Sequence, residues 1–245
     1  MKAWGITDAG LVRPENQDCF AIEQIEQTGH LVAVVCDGMG GVSGGLLAST
    51  TAVDAYMTAM RSMLRADMTP EQVLQASSYC VAQANRAVYT AAKNDEHYAG
   101  MGTTLVAAIA KDGCVIISNV GDSRAYHDTQ EGISRVSKDH SFVEGLVDRG
   151  DITEEQARTH PKRNYITRAL GPEEFALCDG YTVELAEGDF ILLCSDGLVN
   201  TVTSPEMHEI IRNGADEEAS LAQLLALSKE RGAPDNVTAV LVHKA

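Results

Sequence analysis

The stretch TTLVAAIAKDGCVIISNV (residues 103–120) decides how the rest of the chain is read. Two runs rich in β-branched residues flank Lys111-Asp112-Gly113. Asp-Gly supplies the tight turn that joins antiparallel strands, so the stretch reads as a β-hairpin. Working outward, LVAVVC (31–36), FILLCS (190–195) and NVTAVLVH (236–243) are runs of the same kind, each bounded by Gly, Asp or Pro. Two helical stretches separate the first run from the hairpin. Residues 45–66 repeat Leu, Ala, Val and Met at helical spacing. The second opens with Thr69 as N-cap, Pro70 at the first helical position and Gln72 completing a capping box, and runs to about Lys93. Further helices are expected over 217–230 and from Ser204-Pro205. Strands, two helices and more strands imply an α/β sandwich with largely antiparallel sheets, expected as one domain over 1–245. Residues 139–171 break the pattern. Polar and partly basic (Arg158, Lys162, Arg163, Arg168), they read as an insertion packed on the surface.

The bulk composition narrows the partners. Acidic residues outnumber basic ones 35 to 19, a formal net charge of −16, which repels nucleic acid and anionic membrane. No run approaches the ~18 apolar residues of a membrane span, and the opening MKAWGITDAG lacks the apolar segment of a secretory leader. Six scattered cysteines form no CxxC pair, and Cys36, Cys114 and Cys194 sit in apolar runs as small hydrophobes. A cytoplasmic protein is expected.

The chemistry lies in where the aspartates fall. Asp37 follows LVAVVC, Asp122 follows CVIISNVG, Asp196 follows FILLCS, and Asp235 precedes NVTAVLVH. Any one of these is ordinary turn chemistry. Four together are harder to dismiss, because antiparallel strands bring starts and ends to one rim. Carboxylates gathered there repel unless protons or cations intervene. All-oxygen ligands suit Mg²⁺, Mn²⁺ or Ca²⁺ rather than zinc. The glycine-rich DGMGGVSGG (37–45) lacks the Gly-Lys-Ser/Thr ending of a P-loop. Its glycines are expected to let backbone carbonyls approach a metal.

At this point the chain resembles the metal-dependent protein phosphatases of the PPM type (protein phosphatase type 2C), in their short bacterial form. The blocks that carry the resemblance are TDAGLVRPENQD, VVCDGMGG, GTTLVAAI, VGDSRAY, KDHS, RALG, LLCSDGL and PDNVTAVLV, in that order along nearly the whole chain. It implies an α+β fold: a four-layer αββα sandwich of two mostly antiparallel sheets flanked by helices, with a flap insertion at about 139–171. It further implies a Ser/Thr protein phosphatase with two catalytic Mn²⁺ or Mg²⁺ ions and a third, weaker one. A hydroxide bridging the pair would attack phosphorus in line. On that resemblance Asp37 bridges the two ions, the Gly38 carbonyl contacts the second, and Asp196 and Asp235 complete the first. Asp122 holds the third, Arg13 clamps the phosphate, and Asp18 holds metal-bound water. Asn236 follows Asp235 in the family's Asp-Asn pair, in either a structural or a catalytic role. Phosphoserine and phosphothreonine proteins are the implied substrates, a bacterial Ser/Thr kinase the implied partner, and a monomer the implied state.

The chain departs from the family pattern at Met39, where many members have a histidine, and at Val42, Leu46 and Asn200. With Met39 in place, metal-bound water is the expected proton donor to the leaving alkoxide, ahead of His160 in the flap. Three rival readings compete with this one. Cys80 and Arg86 formally match the Cys-x5-Arg signature of cysteine phosphatases, but they lie in a periodic helical segment, roughly 240° apart around its axis at 100° per residue. A non-catalytic phosphatase-like binding module conflicts with the intact Asp37, Asp196 and Asp235. A small-molecule phosphatase stays open at this stage.

Overall fold

The computed structural model describes residues 1–244, apart from the side chains of Val42 and Ser43. The Val42 departure and the last residue of the expected 1–245 domain therefore lie outside the described residues. The chain opens with strands β1 (Lys2–Asp8), β2 (Asp18–Ile25) and β3 (His30–Met39), then helices α1 (Gly41–Met63) and α2 (Pro70–Asn94). Strands β4 (Gly102–Thr103), β5 (Leu105–Lys111), β6 (Cys114–Val120), β7 (Arg124–Thr129) and β8 (Gly132–Arg135) follow. The insertion carries α3 (Phe142–Asp148) and α4 (Glu154–Arg158). The chain then continues through β9 (Asp179–Glu184), β10 (Phe190–Cys194), α5 (Asp196–Val199), α6 (Ser204–Asn213), α7 (Glu217–Glu230) and β11 (Val237–His243).

These strands build two antiparallel sheets, ordered β1-β11-β10-β7-β8 and β2-β3-β5-β6-β9, with β4 attached to β3. Side-chain alternation stacks them into four layers. Leu31, Ala33 and Val35 face Ile191, Leu193, Val240 and Val242 across the space between the sheets. Their neighbours Val32, Val34 and Cys36 face Tyr56, Met60 and Val81 of α1 and α2. On the other outer face, Leu192, Cys194 and Leu241 meet Met207, Leu221 and Leu224 of α6 and α7. Central strands buried on both faces are apolar at nearly every position, so these segments read as near-continuous apolar runs. Each fully buried Val or Leu contributes about 1.5–3 kcal/mol. The structure is thus the expected αββα sandwich.

Local chemistry explains the joints. The β5–β6 hairpin turns through Asp112 (φ 49°) and Gly113 (φ 88°), a pair of positive φ values that Asp-Gly tolerates. Thr69 and Gln72 make both bonds of the capping box at the start of α2. Two expectations shift. The run from 103 breaks at Thr104, whose hydroxyl, in place of a backbone carbonyl, accepts the Asp37 N–H at 2.9 Å. Helix α1 begins at Gly41 rather than residue 45, after Gly40 turns the chain at φ 137°. Strands β1, β2 and β7–β9 went unread from pattern. β9 shows why: it is an edge strand that alternates half-buried and exposed residues.

The insertion is more deeply rooted than its polarity suggests. Asp139, His140, Ser141 and Leu170 at its two ends are buried. Arg124 grips Asp139 through both carboxylate oxygens, at 2.6–3.0 Å.

Candidate active site

The antiparallel pairing brings the ends of β3, β6 and β10 and the start of β11 to one rim of the sandwich. Asp37 lies within β3, slightly before its end, and its register partner on β2 is Asp18. Two carboxylates directly opposite on one face of a sheet repel each other, so something else must favour the arrangement. Asp122 sits in the turn after β6, Asp196 begins α5, and Asp235 precedes β11. Asp37 and Asp196 are near enough for the charge of Asp196 to act on Asp37.

Burial and mutual repulsion leave Asp18, Asp37, Asp122 and Asp196 far from their ordinary values. Desolvation first, then Asp18 and Asp196, pushes Asp37 well above the usual carboxylate range. Asp18 and Asp196 rise to about 6, again chiefly through burial. Asp122 rises to about 8, through burial and then the charges of Asp196 and Asp139. Two carboxylate oxygens, Asp18 Oδ1 and Asp122 Oδ1, are buried with no hydrogen-bond partner. Leaving such an atom unsatisfied costs about 1–3 kcal/mol, and more when it is charged. Hard oxygen donors in excess, two of them unpartnered, are what a divalent ion of the Mg²⁺ or Mn²⁺ class requires. The residues fit that group. Among the described residues, however, no three His, Cys, Asp or Glu side chains stand closed around one point. Protein groups occupy several of the oxygens: Arg13 Nη2 donates to Asp235 Oδ2 at 2.7 Å, Ser195 Oγ to Asp18 Oδ2 at 2.7 Å, and Asn200 Nδ2 to Asp196 Oδ2 at 3.1 Å.

Asn236 holds the loop that carries Arg13. Its Oδ1 accepts the Gln17 N–H, and its Nδ2 donates to the Ala9 and Glu15 carbonyls, all at 2.9 Å. Its polar atoms are spent on backbone, which favours the structural role. Gly38 has a packing reason of its own. A Cβ there would lie 2.1 Å from the Gly45 carbonyl oxygen and 2.6 Å from that of Gln17. The glycines of 37–45 thus let the first turn of α1 sit against β3 and the 16–17 loop.

Arg13, Asp122, Asp196 and Asp235 line a cleft of about 700 Å³, closed on its other side by Arg158 and Arg163 of the insertion. His160 is turned to its own loop, its Nδ1 accepting the Lys162 N–H at 3.1 Å. Sequence reasoning missed Ser195, which anchors Asp18, and His140, which bonds to the turn before Asp122. The LLCSDGL and KDHS blocks marked both segments without indicating those contacts. The cysteine rival fails on geometry. Cys80 and Arg86 both lie in α2, Cys80 is fully buried, and burial pushes its thiol up to about 12, the opposite of a nucleophile.

Known proteins resemble this chain in both sequence and fold. The sequence model described as Protein phosphatase 2C matches residues 13–241. The serine/threonine phosphatase stp of Listeria innocua is 34% identical over 238 residues, covering 97% of this chain and 94% of that protein. Protein phosphatase PhpP of Streptococcus pneumoniae is 32% identical, covering 97% and 95%. The crystal structure of serine/threonine phosphatase Stp1 from Staphylococcus aureus superposes with a TM-score of 0.90 at 36% identity, covering 98% of this chain and 93% of that one. A match across almost the whole length, in sequence and in fold, places the chain in the protein phosphatase 2C family.

Proposed function

We propose that this chain is a metal-dependent serine/threonine protein phosphatase that hydrolyses phosphoserine and phosphothreonine in proteins. One observation carries the reading: Asp18, Asp37, Asp122, Asp196 and Asp235 meet at one rim, with two buried carboxylate oxygens unpartnered. Asp37, Asp196, Asp235 and the Gly38 carbonyl would hold the two catalytic Mn²⁺ or Mg²⁺ ions, with Asp122 holding a third. Bound there, such ions activate water near neutral pH and offset the charge of the phosphoryl group.

The chain's own residues do the rest. Arg13, half exposed at the mouth of the cleft, presents a planar guanidinium that suits two phosphoryl oxygens at once. The Asn236 bonds hold its loop in place, so little ordering is left to the moment of binding. Asp18 keeps one oxygen on Ser195 and leaves the other free to accept a proton or hydrogen bond from water. The names of the relatives, all protein or serine/threonine phosphatases, support protein substrates over small phosphate esters. On this reading the enzyme works in the cytoplasm, as a monomer, against a Ser/Thr kinase.

The test is hydrolysis of a phosphothreonine peptide with and without Mn²⁺, followed by EDTA. Turnover that appears with Mn²⁺ and vanishes with EDTA is expected. Turnover indifferent to both sinks the reading.

A further inference from the structure

His140 lies at the root of the insertion, is 6% exposed, and bonds in three directions. Its N–H donates to the Gly121 carbonyl at 2.9 Å, and the Gly121 N–H donates back to its Nδ1 at 3.0 Å. An imidazole that accepts at Nδ1 carries its proton on Nε2, and Nε2 donates to Asp179 Oδ2 at 3.1 Å. Arg168, on the returning arm of the insertion, donates to the other Asp179 oxygen at 2.8 Å. The His140 carbonyl accepts the Thr167 N–H at 2.8 Å, and Phe142 N–H reaches the Tyr165 carbonyl at 2.8 Å, so both arms are joined. Burial lowers the imidazole's pKa, which keeps Nδ1 free to accept.

Gly121 has no room to yield. Its φ is +108°, and a Cβ there would lie 2.6 Å from the Thr104 side chain. The next residue is Asp122.

We propose that His140 is a positioning residue that makes the insertion and the Asp122 turn one mechanical unit. The arms cannot swing over the cleft without tilting the carboxylate that follows Gly121. This rests on the reading of Asp122 as a cation ligand given above.

The test uses the full chain with His140→Ala, His140→Asn and Asp122→Asn. In His140→Ala, amide exchange at Gly121 and across residues 142–165 should accelerate together, on the order of tenfold or more. Thermal stabilisation by Mn²⁺ should weaken, and kcat/KM on a phosphothreonine peptide should fall about tenfold. Asparagine places Oδ1 where Nδ1 was, so His140→Asn should restore protection at Gly121 and most of the turnover. In an Asp122→Asn background, His140→Ala should change the Mn²⁺ response less than about twofold, because the two act through one carboxylate. Effects that multiply, or a loosened insertion with Gly121 still protected, overturn the proposal. Asp122→Asn with an unchanged Mn²⁺ response overturns the reading of Asp122, and this proposal with it. Should His140→Ala fail to fold, His140→Asn against His140→Gln makes the same comparison. Glutamine lacks the acceptor at the Nδ1 position, so only the asparagine variant should keep the Mn²⁺ response.

Discussion

The two ends of the sandwich bury aspartate in opposite ways. At the far end of β7, Asp128 is fully buried, with Arg212 ion-paired to one carboxylate oxygen and His208 Nδ1 at 2.6 Å from the other. At the rim, Asp18, Asp37, Asp122 and Asp196 crowd together, and among the described residues none of the four is ion-paired with a basic side chain. The first arrangement matches charge with charge. The second leaves a surplus that only protons or added cations can balance. A fold selected for stability alone would resolve both ends as it resolves the first, so the uncompensated end is where the proposed function is placed.

Paired substitutions give that contrast its sharpest test. Asp196→Ala should lower Mn²⁺-dependent phosphopeptide turnover by at least about 10³-fold, the scale of losing several kcal/mol of charge stabilisation at phosphorus. Without metal the same variant should melt no lower than the parent, because a buried, repelled carboxylate has been removed. Asp128→Ala should do the reverse. Stranding Arg212 and His208 should cost about 3–5 kcal/mol, as breaking a buried ion pair does, with kcat per folded molecule unchanged. Calorimetry beside steady-state kinetics decides it. Near-normal Mn²⁺-dependent turnover in Asp196→Ala removes the distinction between the two ends.

A pH series in EDTA probes the same surplus. The folded-state pKa values at the rim are raised, so the protonated forms favour the fold. Their contribution is fully present below about pH 4, the ordinary carboxylate value. It is lost as pH rises through about 6 for Asp18 and Asp196 and about 8 for Asp122. Melting temperature without metal should therefore be lower at pH 8.5 than at pH 5.5. Saturating Mn²⁺ should narrow or reverse the gap, by binding the folded state and replacing protons at the carboxylates. A metal-free protein equally stable at both pH values would mean that neither burial nor mutual repulsion raises the rim carboxylates.

How much of this was legible follows from burial. Asp37, Asp122, Asp196 and Asp235 could be picked out because they punctuate β3, β6, β10 and β11, whose runs are predominantly apolar. Asp18 could not, since β2 reads DCFAIEQI and is mostly half-buried, with no clean period to mark its start. Only the family resemblance pointed to it. The partners that orient the site were invisible for a different reason. Ser195 reaches Asp18 across 177 residues and His140 reaches Asp179 across 39, and a hydrogen bond between distant residues leaves no periodic trace. Asn236 fell between. Its place beside Asp235 is plain in the sequence, but only its three bonds to the 9–17 loop favour one of its two roles.

Arg13 supplies the smallest of the expected effects and a bridge between the two kinds of site. It is the cation bonded to Asp235, at 2.7 Å, yet its side chain is 54% exposed and that of Asp235 30%. An ion pair so open to solvent contributes about 0–1 kcal/mol, so Arg13→Ala should move the melting temperature little. Its effect should fall on substrate instead. On the proposed function, a guanidinium at the cleft mouth would meet a dianionic phosphate that a chain of net charge −16 otherwise repels. KM for a phosphothreonine peptide should rise about tenfold, with kcat less affected. Arg13→Lys should recover part of that loss, because it keeps the charge but not the two-pronged fit. If alanine lowers stability by several kcal/mol while KM stays put, Arg13 belongs with Arg212 as a structural counter-ion, and the rim loses its substrate clamp.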